Sequence, residues 1–568
     1  MEPAGIEFGI FEAIKILGAL CFFVYGMKMM SDGIQRAAGS QLRNILRTMT
    51  KNRFLGVFTG FLITALVQSS SATTVMVVSF VNAGLLTLME SAGVMLGANI
   101  GTTITGWIVS ILGFKIKLSV FSIPLFAVGV PMIFIGRGKV KYWGEFILGF
   151  SILFLGLQYL KEAVPDLKGN TDALNFLTSF TEWGFLSRVF FVLVGTVVTV
   201  VVQSSSAAMA ITLTMCAQGW LPFDVAAAMI LGENIGTTIT AQFAALVGNT
   251  NAKRAANIHT IFNLFGVVWM VVVLPYFLIG LSAFVQNVFG IEDPFTSAAD
   301  MPIALSAFHT AFNIINVLVL LPFIPMLVKF ATKLVKETSD GDDESLKFIS
   351  GVAMLTPELA TIELQKEAAH FGTVTSRMSE FMGTLLNSTE GKEQRKMLKK
   401  LKKYEKITDD MEIEITEYIT KLADKEITPK TSLRLRSVLN IANDLERIGD
   451  IYFQISKTLE RKIDEKIYFL PEQRENLNKM IALVDEAFTE MISNLDTPSY
   501  DDVTKDKARE IEKKVNKLRD ELRSANLKKL GGPGYNVEAA MIYNNLFSSL
   551  ERIGDHIVNV SESVVGEI

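Results

Sequence analysis

Seven stretches of this chain, at about 14 to 35, 91 to 112, 118 to 136, 143 to 163, 224 to 248, 257 to 280 and 303 to 328, are apolar over lengths that cross roughly 30 Å of hydrocarbon. Backbone at that depth must satisfy its own hydrogen bonds, so the expected class is an all-α polytopic membrane protein. Charge sets the limit of this part. Of the first 330 residues 33 are charged, whereas the remaining 238 carry 79, so a membrane part is followed by a soluble one. Glu2, Glu7 and Glu12 stand where a secretory signal would place basic residues, and the first stretch is expected to remain as a span. The two cysteines, Cys21 and Cys216, lie in apolar segments and offer neither a disulfide framework nor a thiolate metal site.

Two further segments, Phe54 to Met89 and Val189 to Phe223, hold no charged residue, and each carries the same polar tetrad near its middle. These are Gln68-Ser69-Ser70-Ser71 and Gln203-Ser204-Ser205-Ser206. Folded back at the tetrad, each segment gives arms of about 15 residues, or about 22 Å at helical rise, too short to span twice. Each tetrad is therefore expected at the tip of a re-entrant hairpin, and the two tips are expected to share a site, because irregular backbone at this depth must be buried in protein or line a wet cavity.

The tetrads lie 135 residues apart, and Gly97-Ala98-Asn99-Ile100-Gly101-Thr102-Thr103 recurs at the same offset as Gly232-Glu233-Asn234-Ile235-Gly236-Thr237-Thr238. Two motifs in one register indicate duplication, with repeats at about 14 to 136 and 143 to 280 and an extra span at 303 to 328. Three crossings per repeat invert the second copy relative to the first. Loop charges agree: Arg36, Arg43, Arg47, Lys51 and Arg53 follow the first span without an acid, while Lys161, Lys168 and Arg188 are mixed with Glu162, Asp166, Asp172 and Glu182 after the fourth. The first loop is expected inside and the second outside, with Lys115 and Lys117 as the exception, and Lys329, Lys333 and Lys336 place the soluble part in the cytoplasm.

Serine triplets in a membrane helix either let neighbouring helices approach or line a site. Duplication in register favours the second reading: glutamines, hydroxyls and half-helix N-termini make an oxyanion site without a fixed cation. The Asn99 and Asn234 motifs supply glycine hinges and oxygens for a hard cation, or a structural interhelical bond. Glu233 stands against Ala98 and is a functional candidate as an intramembrane carboxylate. His259 and Asn263 recur in spacing as His309 and Asn313, read first as bundle glue and second as site lining.

With Gln-Ser-Ser-Ser followed 31 residues later by the Asn of Gly-x-Asn-x-Gly-Thr, twice, the chain from about 14 to 330 resembles the sodium/phosphate cotransporter family. The resemblance implies phosphate and sodium binding at Gln68, Ser69, Ser70, Ser71, Gln203, Ser204, Ser205 and Ser206, with Asn99, Thr102, Asn234 and Thr237 as neighbours; sodium is the coupling ion and a homodimer is plausible. The soluble part repeats Leu-Glu-Arg-Ile-Gly-Asp at 445 to 450 and 550 to 555 and is similar to PhoU, a pair of three-helix bundles. That similarity implies metal binding at Glu446, Asp450, Glu551 and Asp555, although Glu405-x-x-x-Asp409 meets Glu512-x-x-x-Asn516 in the later copy. The expected organisation is a transport domain at 1 to 336, a linker at 337 to 350 and a cytoplasmic helical domain at 351 to 568. The expected function is sodium-coupled phosphate symport across the plasma membrane, against a carrier for another oxyanion or a membrane phosphate sensor. No Ser/His/Asp set, P-loop or nucleophile elbow points to an enzyme, and no nucleic-acid partner is expected.

Overall fold

The computed structural model describes residues 10–49, 52–115, 119–163, 183–246, 248–336, 346, 348–349, 357–425, 427–497, 500, 503–530 and 535–566. The linker at 337 to 350 falls almost wholly outside them, as do Lys168, Asp166 and Asp172. The chain divides into two compact units, Met1–Thr338 and Ser339–Ile568, and the described residues are helical with no strand.

In the first unit the order is α1 (Ile10–Met49), α2 (Arg53–Val67), α3 (Ser70–Asn82), α4 (Leu88–Trp107, continued by a π-helical stretch to Lys115), α5 (Ser119–Ile135), α6 (Lys139–Ala163), α7 (Phe185–Val202), α8 (Ser205–Ala217), α9 (Phe223–Leu246), α10 (Thr250–Phe289), α11 (Met301–Leu320) and α12 (Ile324–Leu334). Among the described residues six helical stretches are long and apolar enough to cross a membrane: Ile14–Ala38, Leu88–Phe114, Lys139–Ala163, Phe185–Val202, Thr250–Phe289 and Met301–Leu334. Seven spans were expected, and the difference has local causes. Pro124 and Pro131 lie inside α5, whose 17 residues reach only about 25 Å. Asp224 and Glu233 lower the apolarity of α9, whereas α7, expected as a short hairpin arm, runs 18 residues. On α7, Leu193, Val197 and Val201 are exposed at four-residue spacing, a ridge suited to lipid.

The helices that open the repeats, α1 and α6, pack along each other through Gly26, Gly149 and Gly156. Behind them, α2 packs on α4 and α7 on α9, with the same contacts at the same offset. A Cβ added to Gly97 would lie 1.9 Å from the Val57 carbonyl oxygen, and one added to Gly232 would lie 2.0 Å from that of Val192. Backbones this close leave no room for a side chain. The second hairpin arms, α3 and α8, each pack against both α4 and α9.

The second unit holds two three-helix bundles: α13 (Pro357–Asn387), α14 (Gly391–Ala423) and α15 (Pro429–Asp464), then α16 (Pro471–Leu495), α17 (Asp506–Lys529) and α18 (Val537–Val565). They are joined by α15 on α18 and α13 on α16.

Candidate functional site

Each tetrad forms the turn of a helical hairpin, and the two turns have one backbone. Gln68 sits at φ 57°, ψ 28° and Gln203 at φ 55°, ψ 25°; Ser69 follows at φ −147° and Ser204 at φ −151°. Left-handed conformations cost an L-residue about 1–2 kcal/mol, and among the described residues only Lys466 shares this feature outside glycine. The same strained turn thus recurs at equivalent positions of the duplicated motif. Ser69 Oγ then accepts from Ala72 N and Ser204 Oγ from Ala207 N, both at 3.2 Å, so the first serine of each triplet caps the second arm. The N–H groups of Ser70, Ser71, Ser205 and Ser206 lie in the first turn, where no intrahelical acceptor exists, and point with the positive end of the helix dipole.

The surroundings of the tips differ. Gln68 is buried, and its Oε1 accepts from Thr105 Oγ1 at 3.0 Å. Gln203 is exposed, and Thr240, the counterpart of Thr105, donates to its own helix at Thr237 O. Thr105 was missed from sequence; its recurrence as Thr240 at the common offset was the available signal. Thr102 and Thr237 are buried and donate to Ala98 O and Glu233 O, which leaves their oxygens as acceptors.

Asn99 and Asn234 are held by the histidines. His259 Nε2 donates to Asn99 Oδ1 (3.3 Å), Asn99 Nδ2 donates to Asn263 Oδ1 (2.7 Å), and Asn263 Nδ2 returns to His259 O (3.0 Å). An amide oxygen can only accept, which assigns the proton to Nε2. His309 Nε2 likewise donates to Asn234 Oδ1 (3.1 Å) and Asn313 Nδ2 to His309 O (2.9 Å), but Asn234 Nδ2 and Asn313 Oδ1 are buried without a partner. The triad is closed around Asn99 and open around Asn234. The glue reading of the histidines fits this geometry, and the sequence could not say that each would grip the duplicated Asn.

In the second unit the two carboxylate pairs keep different company. Asp409, Glu446 and Asp450 can each place an oxygen within 4.8 Å of the others, and Asp409 Oδ1 is buried without a partner. Burial, then the charges of Asp409 and Asp450, push the Glu405 carboxyl above its usual range; Asp409 and Glu446 are raised by burial and then by Asp450. A site that repels its own charges in this way fits a hard divalent cation. The second bundle does not: Asn516 stands where Asp409 does, and Arg519 where Glu412 does. Arg519 pairs with Glu551 and donates to Asp520 Oδ1 at 2.9 Å. Its guanidinium is an internal cation beside Glu551 and Asp555, and it lowers both carboxyls against the upward push of burial.

Six apolar helices of spanning length, with paired helical hairpins, mark a multi-pass membrane protein. Residues 22–162 and 171–291 match the family model for Na+/Pi-cotransporters, and residues 376–459 and 477–564 match that for the PhoU domain. Among curated relatives, "Uncharacterized protein YqeW" of Bacillus subtilis is 30% identical over 312 residues, 54% of this chain and 94% of that one. "Putative inorganic phosphate export protein YjbB" of Salmonella typhimurium is 24% identical over 570 residues, 97% of each chain. "Sodium-dependent phosphate transport protein 2B" of Homo sapiens is 40% identical over 106 residues, 18% of this chain and 15% of that one. No solved structure matches. The chain belongs to the Na+/Pi-cotransporter family, a family of transporters and not of enzymes.

Proposed function

We propose that this protein is a sodium-coupled symporter of inorganic phosphate in the plasma membrane, with phosphate and sodium bound at the two tetrads and a regulatory soluble unit in the cytoplasm. One observation carries the reading: two turns of identical backbone, each presenting a helix N-terminus and hydroxyls in segments without a Lys or Arg from 54 to 89 and from 189 to 223. A phosphate dianion there has no fixed counter-charge, so mobile cations must supply it. One charge moved across 100 mV is worth about 2.3 kcal/mol, so at least two sodium ions must accompany a dianion for an inside-negative potential not to oppose entry. The names of the relatives point both to export and to sodium-dependent transport, which makes direction the property to measure. Labelled phosphate flux in proteoliposomes, under separately imposed sodium, potassium, lithium and proton gradients of either sense, should follow the sodium gradient alone and reverse with it. Flux indifferent to sodium would remove the coupling; binding without flux would leave a sensor; equal sulfate flux would leave a general oxyanion carrier.

Inverted repeats belong to the same reading. A cysteine at position 40 should react from the cytoplasmic side and one at 171, outside the described residues, from the opposite side; labelling of both from one side would refute the inversion. In the soluble unit we assign a regulatory divalent cation to Asp409, Glu446 and Asp450 and none to Glu551 and Asp555, where Arg519 already supplies the charge.

A further inference from the structure

The last helix of the first unit is longer chain than a span requires. α11 starts beside Asp300 and runs 20 residues to Leu320, about 30 Å of helix, which crosses the hydrocarbon by itself. The chain nevertheless stays helical to Leu334 and free of acids to Lys336. Fitting all of Met301–Leu334, about 51 Å, into the same layer would take a tilt of about 54°, beyond the range of spanning helices. Leu321–Phe323 is a 3-10 turn, and Pro322 and Pro325 bring no N–H to the helical ladder. α12 therefore begins at the edge of the bilayer.

Its packing sets the same level. Ile324, Leu327 and Ala331 share one buried cluster with Ala92 of α4 and Ile258 of α10, and Arg254 Nε donates to Val335 O at 3.0 Å. Ala92 and Arg254 each stand fifth in their helices, so α12 lies against the beginnings of two spanning helices. The rest of its surface is divided lengthwise. Phe323, Met326, Phe330 and Leu334 are each at least half exposed and form one stripe at helical spacing. Lys329 and Lys333 flank the stripe and Lys336 follows, all exposed, with exposed Lys253 at the start of α10. Such a row of large apolar side chains is unfavourable in water. Beside four cations and no acid, it suits the boundary where acyl chains meet anionic headgroups.

We propose that α12 is an interfacial helix and, with Lys253, an anionic-lipid-binding surface: the Phe323–Leu334 stripe lies among acyl chains and the lysines reach phosphate-bearing headgroups. Because α12 packs on the helices that carry Asn99 and His259, bound lipid steadies the beginnings of both. The surface requires that this unit spans a bilayer, and neither sodium coupling nor inversion of the repeats.

Full-length protein in bilayers of phosphatidylcholine, alone or mixed with phosphatidylglycerol, tests this in two ways. A nitroxide on Met326→Cys, in a background without Cys21 and Cys216, should be relaxed by oxygen dissolved in the acyl layer and shielded from a water-soluble nickel chelate. On Lys329→Cys the order should reverse. Nickel access at both positions would put α12 in water, oxygen preference at both would sink it in the hydrocarbon, and shielding of Met326→Cys from both reagents would put the stripe against protein; each overturns the proposal. Phosphatidylglycerol should raise the melting temperature of the wild type by several degrees. A variant with Lys329→Gln, Lys333→Gln and Lys336→Gln should lose most of that rise, and the corresponding arginine variant should keep it. An equal rise in the glutamine variant, or none in the wild type, would remove the lipid site. No reading depends on phosphate flux, so failure of the transport proposal would leave this test intact.

Discussion

At φ 57° the Gln68 backbone favours glycine and resists β-branched residues, while its side chain is tied to Thr105. Gln68→Gly should therefore keep the turn and lose the bond, and Gln68→Val should unwind the tip. For alanine the two glutamines should differ: Gln68→Ala removes a buried bond worth about 1 kcal/mol, and Gln203→Ala, at an exposed position, should leave thermal stability within about 0.5 kcal/mol. Both should weaken phosphate and sodium binding in calorimetry, non-additively in the double variant, and independent additive effects would separate the tips into two sites. The acidic cluster of the first bundle gives a pH prediction. Burial and neighbouring charge hold Glu405, Asp409 and Glu446 above the usual carboxylate range, so the folded bundle binds protons that the unfolded chain releases. Without metal, its stability should fall as pH rises through that raised range. Asp409→Asn should slow hydrogen exchange in α14 and α15 of the metal-free protein at neutral pH; faster exchange would contradict the repulsion.

The hairpins depend on glycine contacts more than on any polar bond. Gly97→Ala and Gly232→Ala each drive a methyl group into a carbonyl oxygen about 2 Å away, and each should destabilise by more than about 2 kcal/mol, whereas Gly280→Ala meets nothing within 4 Å and should not. Melting curves in detergent would check the contrast. The histidine helices show a further rearrangement. α10 closes the second repeat and grips Asn99 of the first; by the internal symmetry α5 should grip Asn234, but it packs on α6 instead, and α11 supplies His309 in its place. The extra helix thus fills a position that the duplication left unserved. His309→Ala should then impair binding at the second tip, and His309→Gln, which retains a donor, should restore it; equal loss in both would reduce the histidine to packing. Sequence made the duplicated motifs and arms legible because absence of charge and fixed offsets survive without structure. It could not show which helix faces His259 or His309, since i, i+4 spacing defines a face and not its neighbour. The count of span-length helices among the described residues differs from the expected seven where composition and length diverge, at the 17-residue α5 and at acid-bearing α9. Thr105 was legible only through its recurrence as Thr240 at the common offset, and that recurrence could not say that it would bond Gln68.

Removing everything after Val335 should leave sodium-dependent flux in liposomes and alter its control in cells, because the two compact units have separate cores; loss of flux from a well-folded truncation would make the soluble unit part of the transport machinery. Metal content of the intact protein should be one site per chain, and Arg519→Ala should add none unless Asn516 is also made acidic, because the second bundle would still lack the carboxylate that Asp409 gives the first. The unequal tips have a larger consequence. Two copies of one sequence motif share a backbone but not an environment: one glutamine is sealed beneath a threonine, the other is open, and one Asn triad is closed while its twin is not. In a carrier of inverted repeats, the opposite-facing state follows when the copies trade roles. Gln203 would then dock on Thr240, Asn234 would close onto Asn313, and Gln68 would come into the open. On the proposed inverted-repeat mechanism each copy holds the environment that the other takes next, and a thiol reagent that reaches position 203 in one state should reach position 68 in the other.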